Sequence, residues 1–150
     1  MKTLKPFDPK RDTQSLIKTF LKVFNGPPWN DKWTEETATD YLLDLLNRPG
    51  FIGFIGEENG KPFGFMIGNI NKWWSAHEYY LNEMLVDTEH QRQGLGSFMI
   101  EKLKEYLCLQ NIYKIILLTG RNSSAEAFYN KNGFKTSEYM ILMSSRFGKQ

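Results

Sequence analysis

Residues 86–99 read Val86-Asp-Thr-Glu-His-Gln-Arg-Gln-Gly-Leu-Gly-Ser-Phe-Met99, and the fold is inferred most directly from this stretch. It follows residues 79–86, an apolar run rich in aromatic and branched side chains that predicts a β-strand. After it, apolar residues recur at helical spacing over residues 95–110 and predict an α-helix. Gly94 and Gly96 therefore lie between the end of a strand and the first turn of a helix.

This glycine turn is suited to hold an anion. The first N–H groups of a helix have no partner within the helix, and the helix dipole is positive at that end. Gly94 and Gly96 lack the side chains that would keep a phosphate from those N–H groups, and Gln91 can add a side-chain donor. The turn is not a P-loop, because no Gly-Lys-Ser/Thr follows, and Met99 stands where a dinucleotide fingerprint needs a small residue. The sequence therefore predicts a pyrophosphate-binding turn of another kind.

Length and composition are those of a globular protein. The chain has 150 residues, of which 41% are hydrophobic and 24% charged, and we expect one domain over residues 1–150. The net charge is only +2 and Lys and Arg form no dense cluster, so nucleic acid is not an expected partner. No signal peptide or long apolar span is recognisable, so we expect a cytoplasmic protein without a membrane partner.

Cysteine and histidine give no sign of a metal or redox site. Cys108 is the single cysteine, which excludes an intrachain disulfide, and we expect it to be a small buried residue near a helix end. No His-Glu-x-x-His or paired-cysteine spacing occurs, so no metal is expected.

The remaining patterns predict an alternation of strands and helices. A weak first strand falls within residues 1–9, and Asp12 or Thr13 is the expected cap of a helix that ends near residue 25. Thr34, with Thr37 or Glu36 behind it, begins a second helix that ends near residue 47. The later predicted elements are strands 51–56 and 63–70 with Asn59-Gly60 at the hairpin tip, a strand 114–119 covered on both faces, a helix 122–132 and a last strand 135–144.

A second motif occupies residues 122–134, Asn122-Ser-Ser-Ala-Glu-Ala-Phe-Tyr-Asn-Lys-Asn-Gly-Phe134. It resembles the signature Asn-x-x-Ala-x-x-(Leu/Phe)-Tyr-x-x-x-Gly-Phe of the GNAT superfamily of N-acetyltransferases. The spacing Gln91-x-x-Gly94-x-Gly96 resembles the acetyl-CoA-binding motif of the same superfamily. The resemblance covers nearly the whole chain apart from residues 26–41, which in this family face the acceptor. It implies a mixed, mostly antiparallel α/β sheet of about six strands with helices on both faces.

The resemblance also implies how acetyl-CoA, the co-substrate, would be bound. The turn backbone would hold the pyrophosphate, Asn122 would bond the pantetheine arm, and strand backbone groups would meet the pantetheine and the acetyl carbonyl where two strands splay apart. Gln91 replaces the usual Arg, and Arg92 replaces the usual first glycine. The predicted cofactor-binding residues are Met84, Leu85, Val86, Gln91, Arg92, Gln93, Gly94, Leu95, Gly96, Ser97, Asn122, Ala125, Phe128 and Lys131.

Two residues are the predicted catalytic groups. The resemblance implies that Tyr129 protonates the departing thiolate; its alternative role is packing. In a regular strand over residues 79–86, Glu83 would share a face with Leu81 and Leu85, and apolar neighbours would make its carboxylate a better base. The alternatives for Glu83 are an ordinary exposed carboxylate and a group that merely attracts a cationic acceptor.

The acceptor is interpreted from aromatic and acidic residues in loops expected at the acceptor side. They are Trp29, Trp33, Trp73 and Trp74, with Asp31, Glu35, Glu36 and Glu78 beside them. Aromatic faces with carboxylates suit a cationic amine, so the expected partner is a small aminoglycoside- or polyamine-like molecule acetylated directly in a ternary complex. One Trp of each pair could instead pack in the core. The alternatives in function are a peptide or protein N-acetyltransferase and a catalytically silent acyl-CoA-binding module, and a homodimer is one arrangement to test.

Overall fold

The computed structural model describes residues 1–149, in two compact units, Met1–Leu118 and a second that begins at Thr119. The first unit contains a five-stranded sheet of order β1-β2-β3-β4-β5, antiparallel except that β5 runs parallel to β4. Its elements are β1 (Lys2–Pro6), α1 (Pro9–Phe24), α2 (Glu35–Leu46), β2 (Phe51–Glu58), β3 (Lys61–Lys72), β4 (His77–Val86), a 3-10 turn (Thr88–His90), α3 (Leu95–Leu109) and β5 (Ile115–Ile116). The second unit contains α4 (Ser124–Lys131). No helix within the described residues is long and apolar enough to span a membrane.

Helices cover both faces of the sheet. On one face, a buried cluster joins α1 and α2 to the strands, through Leu16, Phe20, Val23, Leu42, Leu45, Ile55, Phe65, Ile67 and Leu85. On the other face α3 packs, with Met99 fully buried against Gly64 and Tyr106 in edge contact with Phe54 at 5.0 Å between ring centroids. Burying each such side chain contributes about 1.5–3 kcal/mol. The mixed, mostly antiparallel α/β architecture is as predicted, with five strands where about six were expected.

Local capping chemistry explains where the first helices begin. Thr34 caps α2 as predicted, since its hydroxyl accepts from the Thr37 N–H at 3.1 Å and its own N–H donates to the Thr37 hydroxyl at 2.9 Å. The predicted cap of α1 was wrong. Asp8 caps that helix, with Pro9 at the first helical position, and Asp12 is instead a buried first-turn residue that accepts from the Asp8 N–H at 2.8 Å.

The hairpin between β2 and β3 is confirmed. Glu58 pairs with Lys61, so Asn59 and Gly60 form a two-residue loop. Their φ angles are 53° and 79°, and two positive values are what a type I′ turn requires.

A bulge interrupts the pairing of β3 with β4. Ile67 lies opposite Glu83, but its neighbour Gly68 lies opposite Leu81, so β4 carries the extra residue Asn82. Side chains alternate along a strand, and one extra residue puts Leu81 and Glu83 on opposite faces. The predicted common face is therefore wrong for Leu81, whereas Glu83 keeps the face of Leu85 that α1 and α2 cover.

Three expectations for the later part of the chain were also wrong. Strand β5 contains only two residues and is half-buried, so 114–119 is not a long strand covered on both faces. Residues 135–144 form no strand, because an alternating pattern becomes a strand only where a neighbour completes its backbone hydrogen bonds. Cys108 is exposed, because it lies one position beyond the buried Leu107 and hence about 100° further round α3.

Gly68 is required by the side chain that crosses it. Tyr79 is fully buried and donates its hydroxyl to the Ile52 carbonyl at 2.6 Å. A Cβ at Gly68 would lie 2.4 Å from the Tyr79 hydroxyl and 2.4 Å from the Tyr80 carbonyl oxygen. The Tyr80 carbonyl belongs to the backbone of β4, so it cannot move away from an added Cβ as the end of a flexible side chain could.

We expect Gly68→Ala to lower the free energy of unfolding by about 1–3 kcal/mol, because overpacking forces the sheet or the Tyr79 ring to shift. At about 2–4 °C per kcal/mol the loss is measurable by thermal unfolding. Gly120→Ala is the control, since its added Cβ would meet Ser123 at an ordinary 3.6 Å. Equal melting temperatures for the two variants would show that the close approach at Gly68 is unimportant.

Candidate active site

The glycine turn begins α3 without a side-chain cap. Gly94 is the N-cap residue with φ of 75°, and no side chain bonds the first N–H groups of the helix. A Cβ added at Gly94 would meet no atom within 4 Å, so the space over the turn is open. Around it, Arg92 and Gln93 are exposed, Gly96 and Ser97 half-buried and Leu95 buried. Uncapped donors facing open space are what an anion site needs.

Arg92 has φ of 64°, the conformation that glycine adopts most easily. The resemblance to the acetyl-CoA-binding motif implies a glycine at this position, and Arg92 has the left-handed backbone that such a glycine would adopt. The turn retains its shape at some conformational cost.

The connection from β4 to the turn is anchored by Asp87. Its N–H donates to the Phe63 carbonyl at 2.8 Å, and its carboxylate accepts from the Glu89 N–H at 3.2 Å and pairs with Lys22 of α1 at 2.7 Å. Burial acts to raise the pKa of Asp87, but the bonds from Lys22 and the Glu89 backbone outweigh it and hold that pKa below its usual value. Lys22 and Asp87 were not identified from the sequence, since neither belongs to a recognisable motif.

Gln91 has a different contact from the one expected of it. Its side-chain amide donates to the Val86 carbonyl at 3.0 Å, which closes the turn back onto the end of β4. The donor that the sequence suggested for a pyrophosphate is therefore used within the turn in this structure.

One edge of β4 is open beyond its first residues. Pairing with β5 comprises Tyr79 with Ile115 and Tyr80 with Ile116, and within residues 1–149 it is not continued along residues 81–86. The backbone of Met84, Leu85 and Val86 thus has a strand partner on the β3 side only. Leu85 buries its side chain in the core and can offer a ligand only its backbone.

Glu83 is a half-buried carboxylic acid with one specific partner. The hydroxyl of Tyr41, on α2, donates to its Oε1 at 3.0 Å. Burial raises the pKa of Glu83 to about 7, the Tyr41 bond opposes that rise and the nearby Asp31 carboxylate adds to it. Burial, followed by the charge of Glu83, raises the pKa of Tyr41 well above its usual value, so its hydroxyl stays a donor. A carboxyl that titrates near neutral pH suits a general base.

Trp33 connects the loop after α1 to this pair. Its ring stacks on Tyr41 at 5.2 Å with an interplanar angle of 30°, and meets Phe20 edge-on at 5.1 Å. The Asn25 side chain holds the Trp33 backbone through bonds of 2.8 and 2.9 Å. The Trp33 indole N–H donates to Asp31 at 3.1 Å. The predicted acceptor residue Trp33 thus lies next to the partner of Glu83.

The other predicted tryptophans differ in their surroundings. Trp29 packs on Phe24 at 5.7 Å between ring centroids and is 38% exposed. Trp73 and Trp74 are 61% and 88% exposed, so neither packs in the core. They follow Lys72, the last residue of β3, which is five residues and roughly 17 Å along the strand from Ile67, the residue opposite Glu83. The structure does not bring these two together with Glu83.

The second motif forms α4 in the second unit. Ser123 caps the helix by accepting from the Glu126 N–H at 3.1 Å, and the Glu126 carboxylate accepts from the Asn122 N–H at 2.9 Å. The Tyr129 ring is half-buried between Phe128 and Phe134, with centroids 5.2 Å from each. The half-buried residues Ala125, Phe128 and Tyr129 are spaced as neighbours on one helix face, whereas Asn122 and Lys131 are exposed.

The model of the acetyltransferase (GNAT) family matches residues 14–134, which include both motifs. The chain belongs to the GNAT family. This confirms the resemblance inferred from the glycine turn and the second motif.

Relatives and solved structures agree with that assignment. An uncharacterized N-acetyltransferase of Methanocaldococcus jannaschii is 30% identical over 139 residues, covering 86% of this chain and 59% of that protein. The chain therefore spans less than two thirds of that relative. A possible acetyltransferase from Clostridium difficile has a TM-score of 0.81 at 14% identity, covering 99% of both chains. Aminoglycoside N-acetyltransferase AAC(6')-Iy in complex with CoA has a TM-score of 0.73 at 15% identity, covering 98% of this chain and 96% of that one. At these identities the structures show a common GNAT fold.

If the turn holds the CoA pyrophosphate, Gly94→Ala is expected to weaken CoA binding by about tenfold or more, because the added methyl group would fill the open space in which the phosphate would lie. Gly60→Ala is a matched control, since Gly60 also has a positive φ, 79° against 75° for Gly94, and open space around its added Cβ. Both variants carry similar backbone strain. Calorimetric titration with CoA measures the difference, and equal affinities would contradict a phosphate site at the turn.

Proposed function

We propose that this GNAT protein transfers the acetyl group of acetyl-CoA to the primary amine of a small cationic acceptor, directly and in a ternary complex. The observation that carries the proposal is Glu83, a half-buried carboxyl whose pKa burial raises to about 7, located on β4 three residues before Val86 and the open strand edge. We further propose that both units form one acetyltransferase domain, since the family match over residues 14–134 spans them. A cytoplasmic location and a homodimer stay predictions from the sequence.

The chemistry begins with a proton. An alkylamine has a pKa of about 10 and reaches the site protonated, so its nitrogen has no lone pair to attack with. Glu83 takes that proton directly or through one water molecule, and its negative charge also favours a cation. A pKa near 7 leaves a substantial fraction of the carboxyl ionised at neutral pH and keeps it a stronger base than an exposed glutamate.

Bond exchange follows at the thioester. The amine nitrogen bonds to the acetyl carbon, and the oxyanion that develops is stabilised by backbone N–H groups at the open edge of β4, from residues 84–86. The carbon–sulfur bond then breaks, its electron pair leaves with the sulfur, and the Tyr129 hydroxyl protonates the thiolate. The nitrogen, which is positively charged after it has bonded to the carbon, gives up its second proton to solvent, and the Tyr129 phenolate regains a proton from solvent. The turn at residues 91–97 holds the pyrophosphate, and Asn122, Ala125, Phe128 and Lys131 bind the remainder of CoA.

The acceptor class is supported by the surroundings of Glu83. Trp33 and the half-exposed Trp29 present aromatic rings in the same loop as the Asp31 carboxylate, and cations bind such faces. A neighbour in fold is an aminoglycoside N-acetyltransferase. Trp73 and Trp74 contribute less to this proposal than the sequence suggested, because they lie beyond the end of β3, whose residue Ile67 is the one opposite Glu83.

The experiment that tests the function is a screen of amines for release of free CoA thiol from acetyl-CoA. Aminoglycosides and polyamines are expected to be turned over faster than peptides with a free N-terminus. Faster turnover of peptides would reverse the acceptor class. CoA binding without turnover of any amine would indicate that the protein is a catalytically silent acyl-CoA-binding module.

Glu83→Gln keeps the size of the side chain and an oxygen that can accept from Tyr41, but cannot take a proton. In the wild type, kcat/KM is expected to rise as pH increases through about 7, because the base must be ionised. The variant is expected to lose this acidic limb and about 10²–10⁴-fold in kcat. Its stability above pH 7 should not fall, since a carboxyl with a raised pKa destabilises the fold when it ionises.

The outcome separates two roles for Glu83. A raised acceptor KM with kcat retained would mean that the carboxylate only attracts the cation. An unchanged pH profile would remove the general-base assignment altogether.

Tyr129→Phe removes the proposed proton donor but keeps the ring between Phe128 and Phe134. We expect kcat to fall by about 10²–10⁴-fold with acetyl-CoA affinity retained, as measured by steady-state kinetics and calorimetry. Tyr139→Phe, at a 91% exposed residue of the same unit, is the matched control. Wild-type kcat in Tyr129→Phe, with chemistry rate-limiting, would make Tyr129 a packing residue.

A further inference from the structure

Tyr41 is held in one place by its surroundings. It lies on α2 between the fully buried Ala38 and Leu42, which fix the helix against the core. Its ring is stacked by Trp33 at 5.2 Å and contacted by Phe20 at 6.0 Å. The hydroxyl therefore has a defined position, from which it donates a hydrogen bond to the Glu83 Oε1 atom at 3.0 Å.

The Tyr41 hydroxyl is the group near Glu83 that favours the ionised carboxylate. Burial and the Asp31 carboxylate both disfavour ionisation of Glu83. The residue opposite on β3, Ile67, carries no charge. Burial, followed by the Glu83 charge, raises the pKa of Tyr41 and keeps its hydroxyl protonated. The Arg48 charge lowers that pKa, and Tyr80 raises it. Without the hydroxyl, the influences on Glu83 that remain oppose ionisation.

We propose that Tyr41 is a positioning residue for acetyl transfer: by donating to Oε1 it fixes the orientation of the Glu83 carboxylate and leaves Oε2 for the acceptor amine. The proposal rests on the proposed role of Glu83 as the base. It also gives the loop after α1 a part in catalysis, because Trp33 stacks on Tyr41 and bonds to Asp31 within that loop.

The test is Tyr41→Phe, which removes one oxygen and keeps the ring stack. Because the Tyr41 bond lowers the pKa of Glu83, its loss is expected to move the acidic limb of kcat/KM upward by about one to two pH units. At pH 7 kcat/KM should fall by about 5- to 50-fold, and about half or more of the wild-type value should be regained at pH 9. Acetyl-CoA affinity should not change.

Two comparisons keep this result specific. Tyr113→Phe deletes an exposed hydroxyl that bonds only to Asn111 among the described contacts, and its pH profile should equal that of the wild type. 3-Fluorotyrosine placed at position 41 is a stronger donor and should move the limb to lower pH, opposite to Tyr41→Phe. A folding defect cannot produce shifts of opposite sign, and the fluorinated protein also provides the test if Tyr41→Phe does not fold.

The outcomes distinguish the positioning role of Tyr41 from the proposed role of Glu83 as the base. If Glu83→Gln removes the acidic limb while Tyr41→Phe leaves it in place, Glu83 is the base and the positioning role is wrong. If Glu83→Gln changes nothing, the base assignment itself fails. A uniform loss of kcat at every pH in Tyr41→Phe would assign Tyr41 a structural role only.

Discussion

The extra residue in β4 is the constraint on which the arrangement around Glu83 depends. Asn82 has no counterpart on β3, so the strand changes face between Leu81 and Glu83. Tyr79 can therefore cross Gly68 and bond to the Ile52 carbonyl, while Glu83 and Leu85 face α1 and α2. A regular strand would keep Leu81 and Glu83 on one face, and either the leucine or the carboxylate would lose its present environment.

In that position, two opposing effects act on the pKa of the Glu83 carboxyl group. Burial disfavours the ionised form of Glu83 and raises its pKa. The hydrogen bond from Tyr41, whose ring is stacked on Trp33, favours the ionised form and lowers that pKa. The balance lies near neutral pH. The same aromatic pair reaches the loop that carries Asp31, so the environment of the base and the surface offered to an acceptor are parts of one packed cluster.

Features that depend on a few adjacent residues could be predicted from the sequence. The Asn59-Gly60 hairpin, the Thr34 cap and the order of strand, glycine turn and helix each follow from short-range chemistry. Glu83 was selected by simple alternation, which gave the correct face relative to Leu85 but not to Leu81. A bulge cannot be read from alternation, because it depends on the register with the neighbouring strand.

Features that depend on distant residues could not be predicted. Tyr41 and Glu83 are 42 positions apart, and nothing near Tyr41 marks it as the partner of a carboxylate. Lys22 and Asp87 are likewise joined only by the packing of α1 beside the turn. The start of the first helix was misplaced because Asp8, Asp12 and Thr13 are all acceptable caps. Only Asp8 is followed by a proline at the first helical position, and the helix begins there.

The absence of a strand over residues 135–144 has a consequence for the behaviour of the protein in solution. Residues 139–143, Tyr-Met-Ile-Leu-Met, are each at least 69% exposed and carry no charge or proline. Exposed runs of this composition self-associate through intermolecular backbone pairing. Glu138 and Arg146 flank the run, and the hydration of their charges opposes such pairing. This exposed apolar run therefore favours self-association of the chain at high protein concentration.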